Sequence, residues 1–376
     1  MILGILKEAR GEQRVALAPD AVAGLLKSGI QTILVEQGAG DRAFFKDSDY
    51  ALQGAQVVEQ ESVMQQAQVL VSIQTPGADT LARLSPGQVL IGQFNPLVRP
   101  DLIGTLLDKQ VTAFSLDLVP RSSRAQAMDV LSSMATVAGY KAVLLAATHL
   151  PTFFPMFMTA AGTVKPAKVL VLGAGVAGLQ AIATAKRLGA VVEAFDVRRA
   201  AREEVLSLGA KFVEVEGATD DSSAGGYAVE QSEEFKRRQA ELIHQRALLA
   251  DVVICTAQIP GRPAPLLIPA TTVEHMKPGA VVVDLAAASG GNCAGSEDGK
   301  TVWINSVCII GDSNLPATIP KDASVMFGKN MVNFLQLLLP KGELLLNFKD
   351  DILAASCIAH QGEIVSERLK QVMQPV

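Results

Sequence analysis

The segment Lys168–Gly178, KVLVLGAGVAG, constrains the fold of this chain of 376 residues more than any other stretch. An apolar run typical of a buried strand leads into Gly173, Gly175 and Gly178, and the sequence that follows has the pattern of a helix. In such a strand–turn–helix unit the first glycine permits a tight turn, the second lets the backbone approach a pyrophosphate, and the third lets helix and strand pack closely. The spacing therefore predicts a dinucleotide site in an α/β unit. The other residues of this phosphate-facing turn are Val176 and Ala177.

Asp196 ends the next apolar run, AVVEAFD, 18 residues after Gly178. A carboxylate at this position accepts hydrogen bonds from the adenosine ribose of NAD and disfavours the 2′-phosphate of NADP. Arg198 and Arg199 argue for NADP, since arginines hold phosphates, unless they only begin a solvated helix. Because the carboxylate faces the 2′-position directly, the sequence favours NAD(H), with Val197 and Arg198 beside the adenosine.

Composition and charge exclude several other classes of function. The net charge is −5 and the pI is about 5.5, so no basic surface predicts a nucleic-acid partner or an anionic membrane. The four cysteines have no CxxC spacing and the four histidines no HxxxH spacing, so we predict neither a metal site nor a disulfide framework. The N-terminus is too charged for a signal peptide, which predicts a cytoplasmic location.

One segment imitates a membrane helix. Residues Ala142–Val164 contain no formal charge, but Pro151 and Pro155 interrupt them. Because a spanning helix tolerates proline only with local help, we favour a buried helix followed by a connector over a true membrane span.

Short β-branched runs alternate with helical patterns along the whole chain, which predicts the α/β class with parallel sheets covered by helices. The predicted strands of the N-terminal region are GILKE, RVALAP, QTILVE, QVLVSI, QVLIGQF and VTAFSL. A second series begins at Lys168, and strand-like pieces occur in the C-terminal tail. We predict two Rossmann-like domains, the second inserted in the first, with a cleft between them. Residues 1–133 and 321–376 form the N-terminal domain completed by the C-terminal segment, and residues 134–320 form the NAD-binding domain.

A polar, Gly/Ser-rich region at about 217–239 interrupts the second series. Loops of this length are usually lids or disordered linkers, so we predict a mobile loop here. Tyr227 follows two glycines. It either closes over a ligand as part of a lid or packs within a plain insertion.

The stretch Arg121–Ser133, RSSRAQAMDVLSS, is unusually rich in hydrogen-bonding side chains. Asp129 and Ser132 are three residues apart, so they share one face of a helix. The structural alternative is a helix start at which Ser122 or Ser123 caps the helix and Gln126 completes a capping box.

These motifs together resemble the alanine dehydrogenase and nicotinamide nucleotide transhydrogenase superfamily over nearly the whole chain. KEARGEQRVALAP at Lys7–Pro19 looks like its N-terminal signature, and GAGVAGLQAIATAKRLGA at Gly173–Ala190 looks like its nucleotide signature.

The resemblance also indicates a branch of the superfamily. The dehydrogenase branch requires an arginine, a lysine, a histidine and an aspartate at its substrate site. Arg14 matches the arginine, but Gln74, Asn95 and Ala288 stand at or near the other three positions. Oxidation of an amino acid needs an acid and a base, whereas hydride transfer between two nicotinamides moves no proton at the reacting carbons. The replacements therefore favour the second reaction.

By the same resemblance, PRSSRAQAMD is similar to a loop of the NAD(H)-binding component of transhydrogenase that grips the nicotinamide end of the dinucleotide. The residues that the resemblance implies to be catalytic are Arg121, Gln126, Asp129, Ser132 and Tyr227. The additional cofactor-binding residues that it implies are Ser122, Ser123, Gly226, Gln239 and Gln258. Gln258 departs from the leucine that is usual in the family, and Ser122 from a common isoleucine.

The resemblance implies the NAD(H)-binding subunit of a bacterial, proton-translocating transhydrogenase. It would be a homodimer that passes hydride directly from NADH to NADP(H) sites on a partner subunit and associates with the inner membrane through a membrane subunit. No nucleic acid would take part. A stand-alone NAD-dependent amino-acid dehydrogenase of the alanine type and a non-catalytic NADH-binding module are the alternatives.

Overall fold

The computed structural model describes residues 1–215, 232–259 and 261–373. The chain forms two compact units. Unit 1 consists of Met1–Met134 and Ala317–Val376, and unit 2 consists of Ala135–Pro316. Unit 2 lies between the two segments of unit 1 in the chain, so the predicted insertion is confirmed.

The first segment alternates short strands with helices. In chain order these are β1 Ile2–Ile5, α1 Pro19–Lys27, β2 Thr32–Glu36, α2 Asp47–Leu52, β3 Gln56–Val58, α3 Gln60–Gln66, β4 Val69–Val71, α4 Ala78–Ala82, β5 Val89–Gly92, α5 Pro100–Asp108, β6 Thr112–Ser115 and α6 Val130–His149. The unit boundary falls within α6.

Unit 2 begins its strands with a hairpin and continues as a second α/β series. The elements are β7 Phe157–Thr159, β8 Gly162–Val164, β9 Lys168–Leu172, α7 Val176–Arg187, β10 Val191–Phe195, α8 Ala201–Ser207, β11 Lys211–Phe212, α9 Glu233–Leu249, β12 Val252–Cys255, α10 Ala270–His275, β13 Val281–Asp284, β14 Lys300–Ile304 and β15 Val307–Gly311. The C-terminal segment of unit 1 adds α11 Pro320–Leu338, α12 Asp351–Ser356, β16 Cys357–Ala359 and α13 Glu367–Met373.

Each unit is built around a seven-stranded sheet that is parallel except at one edge, as the predicted α/β class requires. The strand order is β16-β6-β5-β4-β1-β2-β3 in unit 1 and β11-β10-β9-β12-β13-β15-β14 in unit 2. The antiparallel pairs are β16 with β6 and β14 with β15. In both sheets the chain fills one side first and then crosses to the other. The topological switch points lie between β1 and β4 and between β9 and β12, at the strand ends where open α/β sheets bind ligands.

The strands of unit 2 are apolar on both faces. Val169 and Val171 pack in one core cluster, and Leu170 and Leu172 pack in another on the opposite face. Because successive side chains of a strand point to opposite faces, helices must cover both sides of this sheet. The near-continuous apolar runs in the sequence are the direct signature of that burial.

The prediction of a strand at RVALAP is wrong. Val15, Ala16 and Leu17 are fully buried, but they join no sheet. Side chains take the place of a strand partner: the Val15 N–H donates to Ser324 Oγ at 2.9 Å, and Tyr50 Oη donates to the Leu17 carbonyl at 2.9 Å.

The predicted strand-like pieces of the tail are only partly correct. Residues Asp351–Ser356 form helix α12 because Asp350 caps it, and β16 is the strand that follows. The GE turn is present, with His360 and Glu363 exchanging two backbone hydrogen bonds of 2.8 and 2.9 Å.

Within the described residues, one helix, α6, has the length and apolar composition of a membrane span. The buried share of its most apolar window is 39%, and core helices of globular proteins meet the same criteria. The helix ends at His149, before Pro151 and Pro155, so the apolar run to Val164 is a helix followed by a connector and a hairpin. This is the interpretation that the two prolines favoured.

Candidate nucleotide-binding site

The three fingerprint glycines lie at the switch point of the unit 2 sheet, and each has a distinct steric reason. Gly173 has a φ of +96°, and a Cβ on it would stand 2.6 Å from Thr256 Oγ1. A Cβ on Gly175 would meet no atom within 4 Å, so the backbone is open where a pyrophosphate would approach. A Cβ on Gly178 would stand 1.9 Å from the Gly173 carbonyl oxygen, which is the close helix–strand packing that the third glycine permits.

Helix α7 starts directly at this turn, with Val176 and Ala177 in its first turn. Its free N–H groups and the positive end of its dipole favour an anion there. Gly139 of α6 also supports this helix end, since a Cβ on it would come within 2.1 Å of the Ala177 carbonyl oxygen. Our sequence analysis missed Gly139. The available signal was a lone glycine inside an otherwise apolar helical pattern.

Asp196 follows β10 and is held from two sides. Its Oδ2 accepts the Ala174 N–H of the fingerprint turn at 2.7 Å. Arg198 donates its backbone N–H, Nε and Nη2 to the same carboxylate at 2.8, 2.9 and 2.8 Å. The Asp196 side chain is only 7% exposed. The carboxylate is thus preorganised beside the turn, and Arg198 is bonded to it. The neighbouring Val197 packs against the core.

The other side of the switch point is formed by the loops after β12 and β13. Thr256 Oγ1 donates to the carbonyls of Leu172 and Gly173, at 3.2 and 3.0 Å, which ties the β12 loop to the fingerprint. Gln258 Nε2 donates to the Leu285 carbonyl at 2.6 Å, so its amide joins this loop to the next one.

Asn292 is the hydrogen-bond centre of this wall and was missed by our sequence analysis. It is fully buried; its Nδ2 donates to the carbonyls of Ala257 and Pro265, and its Oδ1 accepts the Ala257 N–H. The buried Asp284 in turn accepts the backbone N–H groups of Ala286, Asn292 and Cys293. Two buried polar side chains therefore fix both loops.

Several predicted residues lie elsewhere or outside the description. Gln239 is half-buried on α9, so the last part of the predicted mobile loop, from Glu233, is helical. Gly226 and Tyr227 lie outside the described residues.

The predicted loop Arg121–Ser133 belongs to unit 1 and Arg121, Ser123 and Gln126 are exposed on it. A short 3₁₀ turn, Gln126–Met128, precedes α6. Ser122 Oγ is buried and has no hydrogen-bond partner, so it can still donate to a ligand.

Asp129 and Ser132 are brought together at the start of α6, as the spacing predicted. Asp129 accepts the Ser132 N–H at 2.9 Å and its Oγ–H at 2.6 Å. Asp129 is therefore the residue that caps α6. The alternative in which Ser122 or Ser123 caps this helix is wrong, because the helix begins only at Val130.

Family models match almost all of this architecture. Residues 4–138 match the N-terminal domain of alanine dehydrogenase/PNT, and residues 142–367 match the C-terminal domain of the same family. The chain belongs to the alanine dehydrogenase/PNT family. Within it, the chain is a homologue of the first of the chains into which the alpha subunit of NAD(P) transhydrogenase is divided in Rhodospirillum rubrum. It is 44% identical to that protein over 380 residues, with 98% of this chain and 99% of the relative covered.

A solved structure and a second relative place the chain within the alanine dehydrogenase/PNT family. A transhydrogenase structure from Sinorhizobium meliloti superposes with a TM-score of 0.89 at 42% identity, covering 97% of this chain and 100% of that one. The alanine dehydrogenase of Mycobacterium tuberculosis is 30% identical over 378 residues, with 98% of this chain and 96% of the relative covered. The transhydrogenase relatives are thus more similar than this dehydrogenase.

In this alanine dehydrogenase/PNT family member, the retained arginine is engaged by its own chain. Arg14 is 5% exposed. It donates Nε and Nη2 to Glu12 at 2.8 and 2.7 Å, and Nη1 to Met134 Sδ at 3.0 Å. Gln74 Nε2 donates to the same Glu12 carboxylate at 3.0 Å. The positive charge is compensated internally, so this cluster does not present a free cation to a substrate carboxylate. Asn95, with a φ of +50°, occupies a left-handed turn after β5.

Proposed function

We propose that this chain is the NAD(H)-binding subunit of a proton-translocating NAD(P) transhydrogenase. NADH bound here supplies a hydride to NADP+ on a partner subunit. The observation that carries the proposal is the fingerprint turn with Asp196 already bonded to Ala174 N–H at 2.7 Å. Membership of the alanine dehydrogenase/PNT family and the similarity to transhydrogenase alpha subunits support the same conclusion.

The residues have separate tasks in this reaction. Gly173, Gly175 and Gly178 admit the pyrophosphate against the start of α7, and Asp196 orients the adenosine ribose. Arg121, Gln126, Asp129 and Ser132 act at the nicotinamide end, together with Tyr227. No acid or base is required at the reacting carbons, so the chain has to align the two rings and exclude water.

The site chemistry separates this proposal from an alanine-type dehydrogenase. That reaction needs a cation for the substrate carboxylate and a group that exchanges a proton. Here Arg14 is paired with the buried Glu12, and Gln74 and Asn95 are amides that do not titrate. Retained Arg14 and the 30% identity to the mycobacterial alanine dehydrogenase keep the dehydrogenase as the second candidate.

The chain acts as a homodimer in this proposal. The hairpin of β7 and β8 is an isolated two-stranded sheet in which every strand residue is exposed. Phe157, Met158 and Val164 are 42%, 75% and 41% exposed, and Phe153 stacks on Phe157 with the ring centroids 4.6 Å apart. A lone hairpin is marginally stable in water, and a second copy of the chain would cover its apolar side chains.

The partners are an NADP(H)-binding subunit and a membrane subunit that conducts protons. The chain is therefore cytoplasmic and reaches the inner membrane only through these partners. Its acidic composition gives it no electrostatic attraction to an anionic lipid surface.

Reconstitution tests the proposed reaction. Purified chain is added to membranes that hold the other subunits but lack this one, together with NADP+ and NADH deuterated at the transferred position. We expect label in NADPH only when the chain is present. An Arg121→Gln variant should bind NADH but transfer label slowly, whereas Arg83→Gln, which removes an exposed arginine from an ion pair just after α4, should match the wild type.

Two outcomes would contradict the proposal. If the chain binds NADH and no label reaches NADPH, direct transfer to that partner is excluded. If the chain alone reduces NAD+ with L-alanine, the dehydrogenase activity replaces it.

A further inference from the structure

The loop Arg121–Asp129 contains little regular structure, yet it has to hold its exposed side chains in one arrangement. Its internal backbone hydrogen bonds are short-range turns, such as Ala125 N–H to the Ser122 carbonyl at 3.0 Å and Met128 N–H to the Ala125 carbonyl at 2.8 Å. Turns of this kind fix a local shape but do not attach the loop to the body of the unit. The attachment comes from residues more than 200 positions away in the sequence.

The first attachment is an ion pair between Arg124 and the start of α12. Arg124 Nη1 and Nη2 donate to the two oxygens of Asp350 at 2.6 and 3.0 Å, and Nη2 also contacts Asp351. Asp350 is itself fixed, because its Oδ1 caps α12 by accepting the N–H groups of Ile352 and Leu353 at 2.9 and 3.3 Å. The guanidinium fork therefore binds a carboxylate that is already oriented.

The second attachment is a pair of amides on α11. The Ala127 carbonyl accepts from Asn330 Nδ2 at 2.8 Å and from Asn333 Nδ2 at 3.2 Å. Asn330 is only 7% exposed, so its position is set by the packing of α11. Asn333 is anchored in addition by a 2.8 Å hydrogen bond to the Lys329 carbonyl on its own helix.

Together the two attachments bracket one exposed side chain. Arg124 lies two residues before Gln126 and Ala127 lies one residue after it, so the backbone on both sides of Gln126 is tied to the C-terminal helices. Asp129 then continues into α6 through its cap on Ser132. Gln126 is left exposed between fixed points.

We propose that Arg124, Asp350, Asn330 and Asn333 are positioning residues that clamp the Arg121–Asp129 loop so that Gln126 is presented for hydride transfer. This inference rests on the proposed function, in which the loop acts at the nicotinamide end. It assigns to the C-terminal segment a role in the reaction and not only in completing the fold of unit 1.

The clamp is open to test because it is exposed. The Arg124 side chain is 50% exposed, and exposed ion pairs contribute little to global stability, so variants should fold. Arg124→Gln removes the fork. Asp350→Asn removes the charge but keeps the helix cap, since asparagine caps as well as aspartate. Arg83→Gln removes a comparable ion pair, with Glu61 at 3.3 Å, and is the matched control.

Three measurements are made on these variants and on the double variant of the full-length chain. Amide hydrogen exchange of the peptide that contains residues 121–129 should become faster in Arg124→Gln and Asp350→Asn, and stay unchanged in Arg83→Gln. The dissociation constant for NADH should change by less than about twofold, because the fingerprint is untouched. The rate of labelled hydride transfer in reconstitution should fall by roughly tenfold in either single variant, since small misplacements of a reacting geometry are costly. The double variant should be no slower than the slower single one, because both substitutions remove the same contact.

The outcomes separate the two proposals. If the wild-type chain transfers no label, the proposed function fails, and the positioning role fails with it. If the wild type is active but the variants exchange or react like Arg83→Gln, the clamp is wrong while the proposed function stands. Parallel loss of NADH binding and of the unfolding temperature in the variants would reveal a purely structural role and would also overturn it.

Discussion

At the scale of single residues, Asp196 combines two demands that sequence motifs treat as one. It accepts the Ala174 N–H, which shapes the fingerprint turn, and it also holds Arg198. A ribose hydroxyl would therefore share a carboxylate that is already paired with an arginine. The same pairing occupies the guanidinium that would otherwise attract a 2′-phosphate. Cofactor preference in this site thus depends on the pair and not on the acidic residue alone.

Replacing Asp196 by asparagine should change the cofactor preference. The amide oxygen can still accept the Ala174 N–H, but the negative charge is lost and Arg198 is released. We expect the dissociation constant for NADH to rise by about tenfold, while that for NADPH changes less or falls. Fluorescence titration with both nucleotides measures the ratio. Glu214→Gln is the matched control, since it removes a carboxylate 3.9 Å from Arg202 in the same region. An unchanged NADH to NADPH ratio would contradict the role given to the pair.

At the scale of elements, the loops after β12 and β13 are held by Asn292 rather than by regular structure. Asn292→Ala would leave the Ala257 N–H and the carbonyls of Ala257 and Pro265 without this partner in a fully buried place. Buried groups left unsatisfied cost about 1–3 kcal/mol each, so unit 2 should unfold several degrees lower. NADH affinity should fall as well, because Thr256 and the fingerprint share this wall.

Calorimetry and NADH titration of Asn292→Ala check this expectation. Asn347→Ala is the control, because Asn347 is exposed and its side chain accepts the Lys349 N–H at 3.2 Å. If the two variants unfold at the same temperature, Asn292 does not hold the wall as described.

What could be predicted from the sequence follows the range of the forces involved. The fingerprint was predictable, since the turn, the helix start and the glycine contacts lie within a few residues of one another. The cap of Asp129 on Ser132 was half predictable: the spacing placed both side chains on one face, but not in contact. Asn292 and Arg124 were not predictable as structural centres, because their partners lie far away in the sequence and carry no motif.

The wrong strand at RVALAP has the same origin. The β-branched, buried pattern was real, and Val15 and Leu17 are fully buried. A pattern reports burial, however, and not which group satisfies the backbone. Here the hydroxyl groups of Ser324 and Tyr50 do so, and both come from distant helices.

At the scale of the whole molecule, a buried polar cluster at the switch point of the unit 1 sheet connects stability to pH. Glu8 follows β1 and accepts the N–H groups of Ile73 and Gln74, which follow β4, at 2.5 and 3.1 Å. Burial raises the pKa of Glu8 to about 7, and the nearby Glu12 acts in the same direction, whereas the two N–H groups and Arg14 oppose it. The carboxyl that joins the two central strands therefore titrates near neutral pH.

The sign of the effect on stability follows from that shift. The folded-state pKa of Glu8, about 7, lies above its ordinary value of 4.5. The stabilisation is therefore fully present below pH 4.5 and is lost as the pH rises through 7. With about 1.4 kcal/mol per pKa unit, the complete change is on the order of 3 kcal/mol. Asp350 behaves in the opposite way, because Arg124 lowers its pKa, but that contribution is lost only in more acidic solution.

Glu8→Gln should therefore flatten the pH dependence of unfolding. The neutral amide imitates the protonated carboxyl and can still accept a backbone N–H. We expect the unfolding temperature of the wild type to fall between pH 6 and pH 8.5 by several degrees, and that of Glu8→Gln to fall clearly less. Some slope should remain, since burial also raises the pKa values of Asp117 and Asp312. Glu297→Gln, at an exposed carboxylate paired with Lys300, should keep the wild-type slope. Equal slopes in wild type and Glu8→Gln would mean that the carboxyl is ionised throughout this range and that the N–H groups of Ile73 and Gln74 outweigh its burial.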